Sequence, residues 1–208
     1  MTKIKFCGLS RRCDIEAVNE LKPEYIGFVF VKTSKRYVSF EKAEELKSLL
    51  DPKIKAVGVF VNEDKDVITM YADRFGLEYI QLHGKESPEY CQSLRTSGLK
   101  IIKAFSVARP KDLNHVSEYE KTCNLFLFDT KCEQYGGSGN QFDWNILHTY
   151  NGQVPFLLSG GINSHSANAL KAFDHPRLAG YDLNSRFELK PGEKDPERIR
   201  IFLNELKS

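Results

Sequence analysis

Short apolar runs alternate with longer segments of helical periodicity along the whole chain. The first run, Lys3-Ile4-Lys5-Phe6-Cys7-Gly8, reads as a strand: Ile4 and Phe6 share one face, while Lys3, Lys5 and Cys7 share the other. Behind it, Ser10 is placed to cap a helix over Asp14 to Leu21, which Pro23 stops. Tyr25 to Phe30 is a nearly continuous apolar run suited to a strand buried on both faces, and Ser39 caps a helix carrying Ala43, Leu46 and Leu50. Ile54 to Phe60 is the third strand; Asn62 caps the next helix, with Glu63 and Asp64 in its first turn, and Gly76 ends it. Leu77 to Leu82 is the fourth strand, and Ser87-Pro88 opens a helix that Gly98 closes. Leu99 to Phe105 is the fifth, with a helix expected from Pro110 to about Tyr119. Asn124 to Phe128 is the sixth, leading through a glycine-rich loop to a helix starting near Asp143. Val154 to Leu158 and a helix over Ser164 to Phe173 make the seventh unit. Leu178 to Leu183 and a helix opened by Asp195-Pro196, with Ile199, Phe202, Leu203 and Leu206 at helical spacing, make the eighth.

Alternating strand and helix imply an α/β fold with a parallel sheet, and eight such units imply closure into a (β/α)8, or TIM, barrel. The 208 residues suffice for one such barrel with few insertions, so residues 1–208 are expected to form a single compact domain. The competing architecture, an open doubly wound sheet, would want a Gly-x-Gly-x-x-Gly turn after the first strand, and none is there.

Composition narrows the function classes. Thirty basic and 28 acidic residues are interspersed without a basic stripe, which argues against nucleic acid as a partner. No apolar run nears the roughly 18 residues of a membrane span, and no charged-then-apolar leader is seen at the start. The five cysteines (Cys7, Cys13, Cys91, Cys123, Cys132) form no Cys-x-x-Cys pair and have no histidine at zinc spacing. The disulfide and metal readings are both weak, and a reducing cytoplasm is the expected location.

In a barrel of this kind chemistry sits at the C-terminal ends of the strands. Those ends carry Cys7, Arg36 in the loop after strand two, Gln81 and His83 after strand four, Asp129 after strand six, Gly160-Gly161 after strand seven and Asp182 after strand eight. Cys7 reads either as a small buried hydrophobe or as a thiol drawn toward thiolate by the cation beside it. Asp129 shares its face with Leu125 and Leu127; a carboxyl ending so apolar a strand is costly unless paired or protonated, the alternative being a loop-solvated cap. Arg36 is a surface charge or a bidentate clamp for a carboxylate, and His83 an inner-layer histidine or a substrate contact. Gly136-Gly137-Ser138-Gly139 and Ser159-Gly160-Gly161 precede helical segments, where bare N–H groups suit phosphate.

With these residues in view the chain resembles the phosphoribosylanthranilate isomerases, barrel enzymes of tryptophan biosynthesis. The matching segments run nearly end to end. They include Lys5-Phe6-Cys7-Gly8, Gly27-Phe28-Val29-Phe30, Ser34-Lys35-Arg36-Tyr37-Val38, Val57-Gly58-Val59-Phe60-Val61-Asn62, Gln81-Leu82-His83-Gly84, Lys103-Ala104-Phe105, Phe128-Asp129, Gly136-Gly137-Ser138-Gly139, Phe142-Asp143-Trp144 and Pro191-Gly192-Glu193-Lys194-Asp195. The resemblance implies an Amadori rearrangement of N-(5-phosphoribosyl)anthranilate, with Cys7 as general base, Asp129 as general acid and Arg36 near the anthranilate carboxylate. It also implies substrate contacts from His83, Gly160, Gly161, Asp182, Asn184 and Ser185, a small phosphorylated molecule as the only partner besides a second copy of the chain (monomer or homodimer), and no cofactor. One departure stands out. The family usually ends strand eight with Asp-Val-Ser-Ser-Gly-Val-Glu, where this chain has Asp182-Leu183-Asn184-Ser185-Arg186-Phe187-Glu188, so the phosphate contacts there rest on Asn184 and Ser185. Rival classes fit less well. A histidine-pathway isomerase would put aspartate where Cys7 stands and show two-fold repetition; an indole-glycerol-phosphate synthase would carry a longer N-terminal segment; a sugar-phosphate sensor would have no use for Cys7 and Asp129; a thiol-redox protein would need a resolving cysteine near Cys7.

Overall fold

The computed structural model describes residues 2–130 and 143–208. Eight parallel strands, β1 (Lys3–Cys7), β2 (Tyr25–Val29), β3 (Lys55–Phe60), β4 (Tyr79–Leu82), β5 (Lys100–Val107), β6 (Leu125–Thr130), β7 (Phe156–Leu158) and β8 (Leu178–Leu183), pair in chain order and close, β8 against β1. Around them lie α1 (Arg12–Leu21), α2 (Phe40–Ser48), α3 (Lys65–Phe75), α4 (Pro88–Arg95), α5 (Ala167–Ala172) and α6 (Pro196–Lys207). A short antiparallel hairpin, β9 (Glu188–Lys190) and β10 (Glu193–Lys194), follows β8. The expected (β/α)8 barrel is therefore the observed one. Among the described residues no helix is long and apolar enough to cross a membrane.

Alternation along each strand builds two separate apolar layers. Outward side chains such as Phe6, Ile26, Phe28, Phe126 and Phe156 pack under the helices. Inward ones, among them Tyr25, Val57, Tyr79, Ile102, Leu125, Leu127 and Leu157, fill the barrel. At the N-terminal end Tyr25 and Tyr79 meet edge to face, centroids 5.1 Å apart, with the Lys55 and Lys100 ammonium groups over them. This aromatic floor leaves the polar inner positions at the opposite, C-terminal mouth.

Several local expectations change, two of them because a distant partner outbids the local one. Ser10 does not cap α1: its hydroxyl donates to the Gly192 carbonyl at 2.8 Å, and Arg11 takes the cap position without a side-chain bond. Asn62 adopts φ +49° and turns its Oδ1 to the Lys85 N–H at 2.6 Å, so α3 is capped by Asp64, which accepts from the Asp66 N–H at 2.8 Å. After β5, two 3-10 turns (Pro110–Leu113 and Val116–Tyr119) replace the expected helix. The Asp112 carboxylate takes the Ala108 and Arg109 N–H groups there, a local bond that competes with helix propagation. The segment opened by Asp143 is likewise a 3-10 helix, Trp144–Thr149. The helix expected from Ser164 starts only at Ala167. Ser39, Ser87 and Asp195 cap as expected.

Candidate active site

Lys5 and Cys7 project from β1 into the barrel, both buried. Room for them comes from Gly27 on β2, paired with Cys7: a Cβ there would lie 2.9 Å from Cys7 Sγ and 3.3 Å from Lys5 Nζ. Burial pushes the Cys7 thiol above its ordinary range, against the pull of Lys5; Asp182 adds to the rise and Lys194 opposes it. Of the two readings of Cys7, the buried thiol is the one at rest, because desolvation outweighs the adjacent cation.

Lys5 Nζ donates to Asp182 Oδ1 at 2.8 Å. Burial works against the ammonium, but Asp182 and Cys7 outweigh it, and the Lys5 pKa stands above its usual value. Asp182, facing Lys5 across the β1–β8 seam, accepts the Ser159 hydroxyl on Oδ2 at 3.3 Å.

Asp129 crowns β6 above Leu125 and Leu127, as the alternation predicts. Its Oδ1 accepts the Thr130 N–H at 2.8 Å. Burial, helped by the charge of Asp182, raises its pKa to about 6 against the pull of Thr130, Lys5 and Ser159. Gly160 makes this approach possible: with φ +81° and no side chain, it passes where a Cβ would strike Thr130 and lie 3.0 Å from Asp129 Oδ1. His83 Nε2 lies 3.7 Å from Asp129 Oδ2. Burial, then the charge of Lys103, lowers His83 to about 4, so the ring is neutral. Gln81 Nε2 lies 3.0 Å from His83 Nδ1; with the amide donating, the ring proton sits on Nε2, toward Asp129.

Arg36 is less free than the sequence implies. Its Nε and Nη2 grip both oxygens of Glu188, at 2.7–3.1 Å, and its stem packs against Gly8 beside Cys7. Lys194 Nζ also donates to Glu188 Oε1 at 2.9 Å, and to Asn184 Oδ1 at 3.0 Å. Among the described residues Arg36 Nη1 has no hydrogen-bond partner, which leaves one edge of the fork for a ligand carboxylate. Asn184 and Ser185 follow β8, and Gly160 and Gly161 follow β7, all partly exposed on the rim. Gly160-Gly161 is not a helix N-terminus, because α5 begins six residues later. The Gly136-Gly137-Ser138-Gly139 motif lies outside the described residues.

Glu188, Lys194 and Ser159 are the members of this site whose contacts sequence reasoning missed. The only signal was the Pro191–Asp195 segment, whose link to Arg36 depends on the β9–β10 hairpin folding back. Among the described residues Glu188 is the one carboxylate paired with buried Lys194 and partly buried Arg36, so Glu188→Leu is expected to cost about 3–5 kcal/mol in urea unfolding. A loss below about 1 kcal/mol would show the cluster to be expendable.

A thiol and a carboxyl, each displaced from its ordinary range, stand at the C-terminal ends of β1 and β6 in one parallel barrel, an arrangement suited to moving protons. The model of the N-(5'-phosphoribosyl)anthranilate (PRA) isomerase family matches residues 4–205. The N-(5'-phosphoribosyl)anthranilate isomerase of Phocaeicola vulgatus is 45% identical over 204 residues, covering 98% of this chain and 97% of that protein. The crystal structure of phosphoribosylanthranilate isomerase from Thermotoga maritima superposes with a TM-score of 0.87 at 33% identity, covering 100% of this chain and 99% of that one. A phosphoribosylanthranilate isomerase in complex with reduced 1-(o-carboxyphenylamino)-1-deoxyribulose 5-phosphate superposes with a TM-score of 0.84 at 31% identity, over 100% of this chain and 99% of the other. The chain belongs to the PRA isomerase family.

Proposed function

We propose that Asp129 is the general acid and Cys7 the general base in an Amadori rearrangement, the aldose-to-ketose isomerisation of N-(5'-phosphoribosyl)anthranilate in tryptophan biosynthesis. The observation that carries these roles is the Asp129 carboxyl at the end of β6, with a pKa of about 6, in the same barrel mouth as the buried Cys7 thiol at the end of β1. Opening the ribose ring requires a proton on the ring oxygen, and a carboxyl titrating near 6 keeps a usable protonated fraction at neutral pH. The open chain is an iminium, which acidifies the adjacent C2 hydrogen. Cys7, as thiolate, removes that hydrogen, and the iminium takes up the electron pair to give an enolamine that tautomerises to the ketose. The substrate's own iminium is the electron sink.

Arg36 turns its open Nη1 edge to the anthranilate carboxylate, Gly160, Gly161, Asn184 and Ser185 offer donors to the phosphate, and His83 and Asp182 border the sugar. Residues 1–208 act as one domain, as a monomer or homodimer, on this small phosphorylated molecule in the cytoplasm and without nucleic acid. The decisive test generates phosphoribosylanthranilate in situ from anthranilate and phosphoribosyl pyrophosphate and follows loss of its fluorescence. No acceleration by the protein would sink the assignment. Arg36→Ala removes a charge-assisted contact of ~1.5–3 kcal/mol, so KM is expected to rise roughly ten- to hundredfold with a smaller change in kcat. An unchanged KM would place the carboxylate elsewhere.

A further inference from the structure

Between the two proton-transferring groups lies a buried ion pair to which the reaction gives no proton. Lys5 is fully buried, and Asp182, its partner at 2.8 Å, nearly so. At one end Lys5 Nζ and Cys7 Sγ share the space over Gly27, where a Cβ would lie 3.3 Å from the one and 2.9 Å from the other. At the other, the Ser159 hydroxyl donates to Asp182 Oδ2 at 3.3 Å, and the next residue, Gly160, is the one whose Cβ would lie 3.0 Å from Asp129 Oδ1. The ammonium therefore stands on the thiol's side of the pair, and the carboxylate on the side of the β7 rim that passes Asp129. Taking two charges out of water is expensive, and a well-packed apolar pair of similar volume is often as stable. Stability alone does not account for this pair.

We propose that Lys5 and Asp182 are positioning residues whose ion pair is held in one orientation, ammonium toward Cys7 and carboxylate toward Asp129, so that its field favours thiolate at the base and a protonated carboxyl at the acid. This rests on the acid and base roles given above. Coulomb interactions weaken with distance, so each end responds to the nearer charge. On Cys7 the pull of Lys5 exceeds the push of Asp182, and on Asp129 the push of Asp182 exceeds the pull of Lys5. The pair turned end for end would disfavour the reactive combination at both sites. The other groups facing Cys7 are Lys194, which Glu188 compensates, and Arg36, which the same carboxylate holds. Among the described residues, those facing Asp129 are the Thr130 N–H, Ser159 and neutral His83. None of them spans both reactive groups.

The reactive state needs the acid protonated and the base ionised, although the acid has the lower pKa. The pH profile of kcat/KM is then a plateau, with a rising limb set by Asp129 and a falling limb set by Cys7, and its height falls tenfold for each unit by which the two limbs separate. Three variants move the limbs in different directions. Asp182→Asn keeps a hydrogen-bonding oxygen but removes the negative charge, so both limbs shift down. Lys5→Met removes the positive charge, so both shift up. Lys5→Met/Asp182→Leu removes both charges and leaves none unpaired; its limbs move apart by about one to two units, and the plateau drops roughly 10- to 100-fold.

Ionisations of the substrate are common to all the proteins and cancel in the comparison. The Cys7 limb is checked independently by ultraviolet thiolate titration, taken as a difference from Cys7→Ala in the same background. Circular dichroism and urea unfolding establish that each variant folds; if the double variant does not, the downward shift of both limbs in Asp182→Asn decides. Limbs that stay in place in folded variants, whatever happens to stability or rate, overturn the proposal. Turnover retained by Cys7→Ala or Asp129→Asn, with the ion pair intact, would instead overturn the acid and base roles, so the two failures are separable.

Discussion

Asp129→Asn is expected to lower kcat about 10²–10⁴-fold while leaving a folded protein that still binds a product analogue. The amide keeps an oxygen for the Thr130 N–H but carries no proton that it can deliver to the ring oxygen. The same variant should be more stable than the natural protein above pH 6, and the sign follows from linkage. Burial raises the folded-state pKa of Asp129 from the ordinary carboxylate value to about 6, so the folded state holds its proton more tightly than the unfolded one. Stability from this group is greatest below the unfolded value, is lost as pH rises from about 4 through 6, and stays lost above. Asparagine does not ionise and escapes that loss, a gain on the order of 1–3 kcal/mol at pH 8 that vanishes by about pH 4. Urea unfolding at the two pH values measures it. His83 tilts the same window the other way, because its pKa is lowered to about 4 in the folded state and the unfolded state binds its proton first as pH falls. The gain is therefore read from the difference between variant and natural protein, in which His83 is common. A variant that turns over normally, or one whose stability advantage is the same at both pH values, would contradict the role or the burial given to Asp129.

The second large effect is expected at Cys7. Cys7→Ala removes a small buried side chain, costs little stability and leaves Lys5 paired with Asp182, yet it takes away the group that removes the C2 hydrogen. Turnover should fall about 10²–10⁴-fold. Exchange of solvent deuterium into C2 should fall with it, because that hydrogen is the one the thiolate abstracts. Cys7→Ser should recover little, since a hydroxyl in the same buried place ionises far less readily than a thiol. Retained C2 exchange in Cys7→Ala would mean that another base does the work, and Lys5 would be the first group to test.

The placement of Cys7 and Asp129 was legible because each obeys a short-range rule. Cys7 and Asp129 sit at the ends of strongly patterned strands, and a period of two places both on the inward face whatever the rest of the chain does. Arg36 was legible as a residue but not as a contact: Glu188, which grips it, lies 152 positions away on a hairpin too short to announce itself by pattern. Capping followed the same division. Ser39, Ser87 and Asp195 find their donors within three residues, whereas Ser10 and Asn62 are claimed by Gly192 and Lys85 from other parts of the barrel.

Sequence alone determined the alternation of strands with helical segments, the number of strands and the inward positions of Cys7 and Asp129, since all of these depend on spacing within a few residues. Tertiary structure decided that Lys5 meets Asp182, 177 positions away, because only closure of the barrel makes β1 and β8 neighbours. It also decided that Cys7 rests as a thiol and that Asp129 holds its proton to about pH 6. Desolvation is a property of everything packed around a group, and no spacing along the chain encodes it.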